Sequence, residues 1–139
     1  MIDSGHRVVP VPGPSALLAG LVASGLPTDS FVFLGFLPRK SHKRRCVLAE
    51  NAGDSRTLVA FEAPHRLLAT LDDIALEMGD RPLTVARELT KVYEEILRGT
   101  ASTAREHFSL HPVRGEITLI IRGAPRSRAK DWSEARVHE

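Results

Sequence analysis

The sequence predicts an α/β domain, a five-stranded sheet with mixed or parallel pairing flanked by helices. Short apolar runs suited to buried strands alternate with longer segments whose apolar residues recur at helical spacing. Gly and Pro punctuate nearly every junction between them. The most informative junction is TLVAFEAPHR, residues 57 to 66, where an apolar run gives way abruptly to a carboxylate, an imidazole and a guanidinium.

RVVP, residues 7 to 10, reads as a short strand entered almost at once. Pro12-Gly13-Pro14 then makes a tight turn, and Ser15 suits the N-cap of an apolar helix from Ala16 to about Ser24. Gly25 stops that helix and Pro27 keeps it from resuming. A glycine turn before a helix N-terminus leaves N–H groups able to hold an anion or a carboxylate, although many ligand-free turns share the pattern. FVFLG, residues 31 to 35, is the second strand. A helix running to about Asn51 follows, with Cys46, Val47 and Leu48 partly inward.

Thr57 to Phe61 forms the third strand. Pro64 suits a first helical position, where its missing N–H has no intrahelical partner. Leu67, Leu68, Leu71, Ile74, Ala75 and Met78 continue at helical spacing, and Gly79 ends the run. PLTVAR, residues 82 to 87, is the fourth strand, and Val92 to Arg98 is extended and strand-like. Gly99-Thr100 turns the chain and caps a helix over 101 to 110, which Pro112 and Gly115 end. EITLII, residues 116 to 121, is the fifth and most apolar strand. Residues 124 to 139 carry no periodic core face and read as a flexible tail, basic in its first half.

Composition narrows the function. A chain of 139 residues suits one domain, and 42% hydrophobic with 26% charged residues is ordinary for a globular one. The single cysteine, Cys46, excludes an internal disulfide and a cysteine-based zinc site, and it is compatible with a cytoplasmic location. No apolar run reaches the roughly 20 residues of a membrane span, so no membrane association is expected. Walker, GxGxxG, GxSxG and HExxH patterns are absent. Of the six histidines, His107 and His111 are four apart, but Pro112 follows and no carboxylate is well placed. Both read as surface residues, and no metal site is expected. With a net charge of only +2, attraction to nucleic acid has to come from local clusters.

Residues 39 to 45 supply such a cluster, with five Lys or Arg among the seven. It is either a solvated helix face or a set of phosphate contacts to RNA. Glu62, His65 and Arg66 sit where a strand ends and a helix begins, the place where open α/β sheets bind ligands. The plainer alternative is that Glu62 and Arg66 cap and pair at the helix start. Glu88 and Lys91 leave the fourth strand in the same way, with Arg87–Glu88 as the plainer structural pair.

VPVPGPSA (9 to 16), FLGFLPRK (33 to 40), TLVAFEAPHR (57 to 66), ARELTKVYEEILRG (86 to 99) and RGEITLII (114 to 121) together resemble the tetrapyrrole methylase superfamily. Within it they are most similar to the branch of ribosomal RNA small-subunit methyltransferase I. Phe61 stands where that branch commonly has tyrosine, and Tyr93 where it commonly has histidine. The resemblance implies S-adenosylmethionine as cofactor and methylation of a cytidine ribose 2′-hydroxyl in small-subunit rRNA. It further implies a 30S-associated substrate, a homodimer and a cytoplasmic location. Residues 1 to 123 then correspond to the carboxyl-terminal half of such an enzyme. Its amino-terminal domain, with a glycine-rich segment and an acidic motif, is not in this chain, so the chain alone is expected to be inactive.

Carried across by this resemblance, the cofactor contacts are Ser15, Ala16, Glu62, Ala63, Leu89, Gly115, Glu116 and Ile117. Methyl transfer needs a group that assists a poor nucleophile, and the candidates are Glu88, Lys91 and His65. The candidate RNA contacts are Arg39, Lys40, Lys43, Arg44, Arg45 and Arg66, with Lys91 beside them. Alanine at Arg39 or Arg44 is expected to weaken RNA binding with little change in stability. Two other classes stay open: a tetrapyrrole (corrin or porphyrin) C-methyltransferase domain, and a non-catalytic RNA-binding or dimerisation module.

Overall fold

A computed structural model describes residues 2–126. Most of the segment read as a tail, residues 127 to 139, lies outside the described residues. The strands are β1 (Phe31–Phe36), β2 (Thr57–Glu62), β3 (Pro82–Arg87), β4 (Glu95–Thr100) and β5 (Ile117–Ile121). They form one five-stranded sheet in the order β1-β2-β5-β3-β4. β1 and β2 pair parallel, and every other neighbouring pair is antiparallel. The mixed α/β sheet expected from the sequence is therefore present.

One of its members differs. Arg7 to Pro10 is exposed and lies in no strand. Pro10, Pro12 and Pro14 each lack the N–H that a sheet ladder needs, so this segment cannot propagate pairing. The place is taken by β4, which pairs with β3 from Pro82↔Thr100 to Arg87↔Glu95. The strand-like segment expected from Val92 thus starts three residues later.

The helices are α1 (Ala16–Ser24), α2 (Ser41–Asn51), α3 (Leu67–Met78) and α4 (Ala101–Leu110). Pro64–Arg66 is a single 3₁₀ turn that feeds α3, so the α-helix starts just after the polar cluster. α1 packs on one sheet face, its Leu21 over Val59, Ala86 and Ile120. Gly20 lets it approach, since a Cβ there would lie 3.0 Å from Thr118 Cγ2. The larger core lies on the opposite face, where Leu48, Leu67, Leu71 and Phe108 of α2, α3 and α4 meet Leu58, Leu83, Leu119 and Ile121 of the sheet. Apolar burial of this kind contributes about 25 cal/mol per Å². Every residue of β5 is buried, as its continuous apolar run requires of a strand covered on both faces.

This topology positions the site. β2 and β3 point the same way on either side of antiparallel β5, so Ile117 pairs with both Glu62 and Arg87. The carboxyl ends of two strands therefore meet at one sheet edge, where a crevice opens.

Candidate active-site cleft

A cavity of about 580 Å³ occupies that edge. Its walls come from the first residue of α1 (Ala16), the ends of β1 and β2 (Phe36, Phe61 to Pro64), the segment after β3 (Glu88, Lys91) and the entry to β5 (Gly115 to Thr118). Five stretches far apart in sequence converge here.

Glu62 is fully buried and completely tied down. Its Oε1 accepts from Arg66 Nε at 3.0 Å and from the Ala63 N–H at 2.8 Å, while Oε2 accepts from Thr70 Oγ1 at 2.7 Å. Burial of a carboxylate is tolerated because each oxygen has a donor. The carboxylate thereby fixes the strand-to-helix turn that forms one cavity wall. Glu62→Ala leaves the largely buried Arg66 without its carboxylate and is expected to destabilise the fold by about 3 kcal/mol; urea denaturation measures this.

Glu88 sits in left-handed backbone at φ 52°, with Thr90 close behind at φ 65°. Non-glycine residues in this region cost about 1–3 kcal/mol each and cluster at functional sites. The conformation turns Glu88 back onto β5. Its N–H donates to Glu116 O at 3.1 Å, and its Oε1 accepts from the Glu116 N–H at 3.0 Å. Oε2 holds Lys91 Nζ at 3.3 Å. Gly115, at φ +80°, makes room for this, because a Cβ there would overlap the Glu88 carboxylate.

Of the residues carried over as cofactor contacts, Ala16, Glu62, Ala63, Gly115, Glu116 and Ile117 line the cavity. Ser15 lies beside it as the N-cap of α1, its Oγ accepting from the Leu18 N–H at 3.4 Å. Leu89 turns away to pack with the core under α1. Glu88 and Lys91 also line the cavity, whereas His65 is exposed outside the lining, its Nε2 3.2 Å from Arg66 Nη1.

The Arg87–Glu88 pair weighed as the plainer reading does not form. Arg87 Nε instead donates to Glu95 Oε2 at 3.0 Å, and His107 Nε2 lies 2.7 Å from the other Glu95 oxygen. Burial opposes the Glu95 charge, but the His107 and Arg87 hydrogen bonds outweigh it and hold the carboxyl below its usual range. This latch joins β3, β4 and α4 directly behind Glu88. Nothing local in the sequence marks it, since β-pairing and the β4–α4 turn bring the three residues together. His111 stacks on His107 with ring centroids 4.6 Å apart.

The basic run divides in two. Arg39, Lys40, Lys43 and Arg45 are exposed, and Arg45 pairs with Glu77 at 3.0 Å. Arg44 is only 2% exposed and is no surface contact. Its Nε donates to Asp73 at 2.8 Å, and Nη1 reaches the carbonyls of Pro38 and Arg39. The 3.6-residue helical period turns this one position of the run inward onto α3. Arg66 is likewise engaged by Glu62 and mostly buried.

Residues 3–105 match the family model described as Tetrapyrrole (Corrin/Porphyrin) Methylases. The chain belongs to the tetrapyrrole methylase family. Among curated members, a ribosomal RNA small subunit methyltransferase I of Synechocystis sp. is 47% identical over 138 residues, covering 99% of this chain and 50% of the relative. The protein of that name from Halalkalibacterium halodurans is 48% identical over 122 residues, covering 88% of this chain and 42% of the relative. This tetrapyrrole methylase chain thus spans about half the length of the curated relatives it matches. Its fold is shared with the cobalt precorrin-4 methyltransferase CbiF, at TM-score 0.64 and 16% identity over 87% of this chain and 54% of that one. The methyltransferase CobJ gives TM-score 0.63 at 17% identity over 92% and 56%.

Proposed function

We propose that this tetrapyrrole methylase chain is the carboxyl-terminal half of an S-adenosylmethionine-dependent enzyme. That enzyme methylates a cytidine ribose 2′-hydroxyl of small-subunit rRNA within the 30S subunit. The observation that carries the reading is the cavity where the ends of β2 and β3 flank β5, built from the segments that resemble the rRNA-methylating branch. The names of its curated relatives support the same choice. A homodimeric, cytoplasmic enzyme belongs to this reading.

The lining fits the cofactor's chemistry. Ala16, Ala63 and Ile117 give flat apolar walls of the kind that accept an adenine, and the volume falls in the ordinary range for a small-molecule site. The N–H groups of Ala16 and Leu17, at the start of α1, have no intrahelical acceptor and suit a carboxylate, whereas that of Leu18 is taken by Ser15 Oγ. When bound, S-adenosylmethionine would supply a sulfonium methyl group: as the ribose oxygen bonds to that carbon the carbon–sulfur bond breaks, S-adenosylhomocysteine leaves as a neutral thioether, and the hydroxyl proton passes to solvent.

This chain's own residues hold and align the reactants. Lys91 presents an ammonium at the cavity wall, where it stabilises negative charge gathering on the ribose oxygen. Glu88, anchored through Oε1 on the Glu116 N–H just before β5, keeps Lys91 there through Oε2. His65 belongs to the rim and acts toward the RNA rather than inside the cavity. Arg39, Lys40 and Lys43, exposed beside the cleft's β1 wall, contact phosphates.

Three measurements test this. Calorimetric titration of S-adenosylhomocysteine is expected to show binding to the full-length protein and little to this chain alone. Absence of binding to both would remove the cofactor assignment. Arg39→Ala with Lys40→Ala is expected to flatten the salt dependence of RNA binding by roughly two counterions while leaving the urea midpoint unchanged. An unaltered salt slope would remove these residues from the RNA interface. Methyl transfer to a tetrapyrrole instead of the 30S subunit would replace the substrate.

A further inference from the structure

Phe36 is a large aromatic whose placement the fold alone leaves unaccounted for. Regular alternation along β1 puts Phe31, Phe33 and Gly35 on one sheet face and Phe36 on the other, toward the large core. The pairing register shows otherwise: Phe33↔Val59 is followed by Gly35↔Ala60 and Phe36↔Phe61, a bulge between Phe33 and Gly35. Gly35 adopts φ +68°, which admits the bulge at little cost. The extra residue swings Phe36 onto the face of Phe33 and Phe61, at the mouth of the cavity, where it is 67% exposed. Bulges beside active sites commonly re-aim a side chain in this way.

The ring is also held. Phe36 meets Phe61 edge-on, with centroids 5.5 Å apart at 62°, and Phe61 is braced in turn by Phe33 at 5.1 Å. Leu37, next in sequence, is buried and donates its N–H to Phe61 O at 3.3 Å. Three residues beyond Phe36 begin the exposed cations Arg39, Lys40 and Lys43. A rigid, exposed aromatic beside exposed cations has the composition of a single-strand nucleic-acid surface, where rings take bases and cations take phosphates.

We infer that Phe36 is a stacking platform for an unpaired nucleobase of the RNA substrate, positioning the strand at the cavity mouth. The inference rests on the RNA-methylating function proposed above and adds a residue that sets substrate placement. The test uses the full-length protein, a fluorescein-labelled single-stranded oligocytidine RNA, S-adenosylhomocysteine calorimetry, and methyl transfer to 30S subunits. Phe36→Ala and Phe36→Leu are expected to weaken oligonucleotide binding about tenfold, and Phe36→Trp to retain it. KM for the 30S subunit rises in the first two by a larger factor than S-adenosylhomocysteine affinity falls. Phe36→Leu binding RNA as tightly as wild type would overturn stacking in favour of mere bulk. Loss of S-adenosylhomocysteine affinity with RNA binding intact would assign the ring to the cofactor. A wild-type protein that methylates no 30S subunit fails the functional reading itself and overturns both, whereas failure of the inference appears only in the variants.

Discussion

Gly115→Ala is expected to collapse cofactor binding by the full-length protein while the sheet stays folded. The glycine sits at φ +80°, where alanine costs about 1 kcal/mol before any contact is considered. The new Cβ would overlap Oε1 and Cδ of Glu88. The Glu88 backbone is held by its own N–H bond to Glu116 O, so relief comes from rotation of the side chain. The carboxylate has to leave the Glu116 N–H, and Lys91 loses the oxygen that holds it at the cavity wall. Two lining elements move together, so S-adenosylhomocysteine affinity should fall at least about tenfold, with about 1–3 kcal/mol lost in urea denaturation. Shortening Glu88 to alanine in the same chain removes the clash. The double variant should therefore bind better than additivity of the two singles allows. Wild-type affinity in Gly115→Ala would show that the Glu88–Gly115 contact does not shape the site.

How much of this was legible beforehand follows from the range of the interactions involved. β2, β3, β5 and all four helices announced themselves through local period, caps and breakers, because those signals are written within one element. The strand read at Arg7 to Pro10 failed on the same local chemistry, since its neighbouring prolines remove ladder donors. β4 was only half legible, because its Glu95–Thr100 extent is set by pairing with β3 and not by its own sequence. Glu62, Glu88 and Lys91 could be named from the strand ends they follow, whereas Ala63 and Gly115 to Ile117 could be named only through the family resemblance; periodicity gives no reason for Gly115 to face Glu88. The bulge that turns Phe36 outward and the Arg87–Glu95–His107 latch were invisible, since the first arises from the register of β1 on β2 and the second from β3–β4 pairing and the turn into α4. Charge density misled at one position, Arg44, where a run of cations hides a residue that the helix period sends inward.

That position yields the sharpest contrast available in the chain. Arg44→Ala is expected to cost about 3–5 kcal/mol, the usual penalty for removing one partner of a buried pair. The loss strands Asp73, whose remaining hydrogen-bond partner is Ser41 Oγ, and frees the carbonyls of Pro38 and Arg39 that the guanidinium had capped. Its neighbour Arg45 also pairs with an α3 carboxylate, Glu77, at a similar 3.0 Å. Yet Arg45 lies in water, where an ion pair contributes about 0–1 kcal/mol, so Arg45→Ala should barely move the urea midpoint. Two adjacent arginines on one helix, each facing an acid on the next, thus differ several-fold in effect because one has been taken out of solvent. Replacing Arg44 and Asp73 together by Met and Leu should recover most of the loss, since no charge is then left buried alone. Equal destabilisation by Arg44→Ala and Arg45→Ala would mean that the α2–α3 contact is not packed as described, and that the basic run acts as a uniform surface after all.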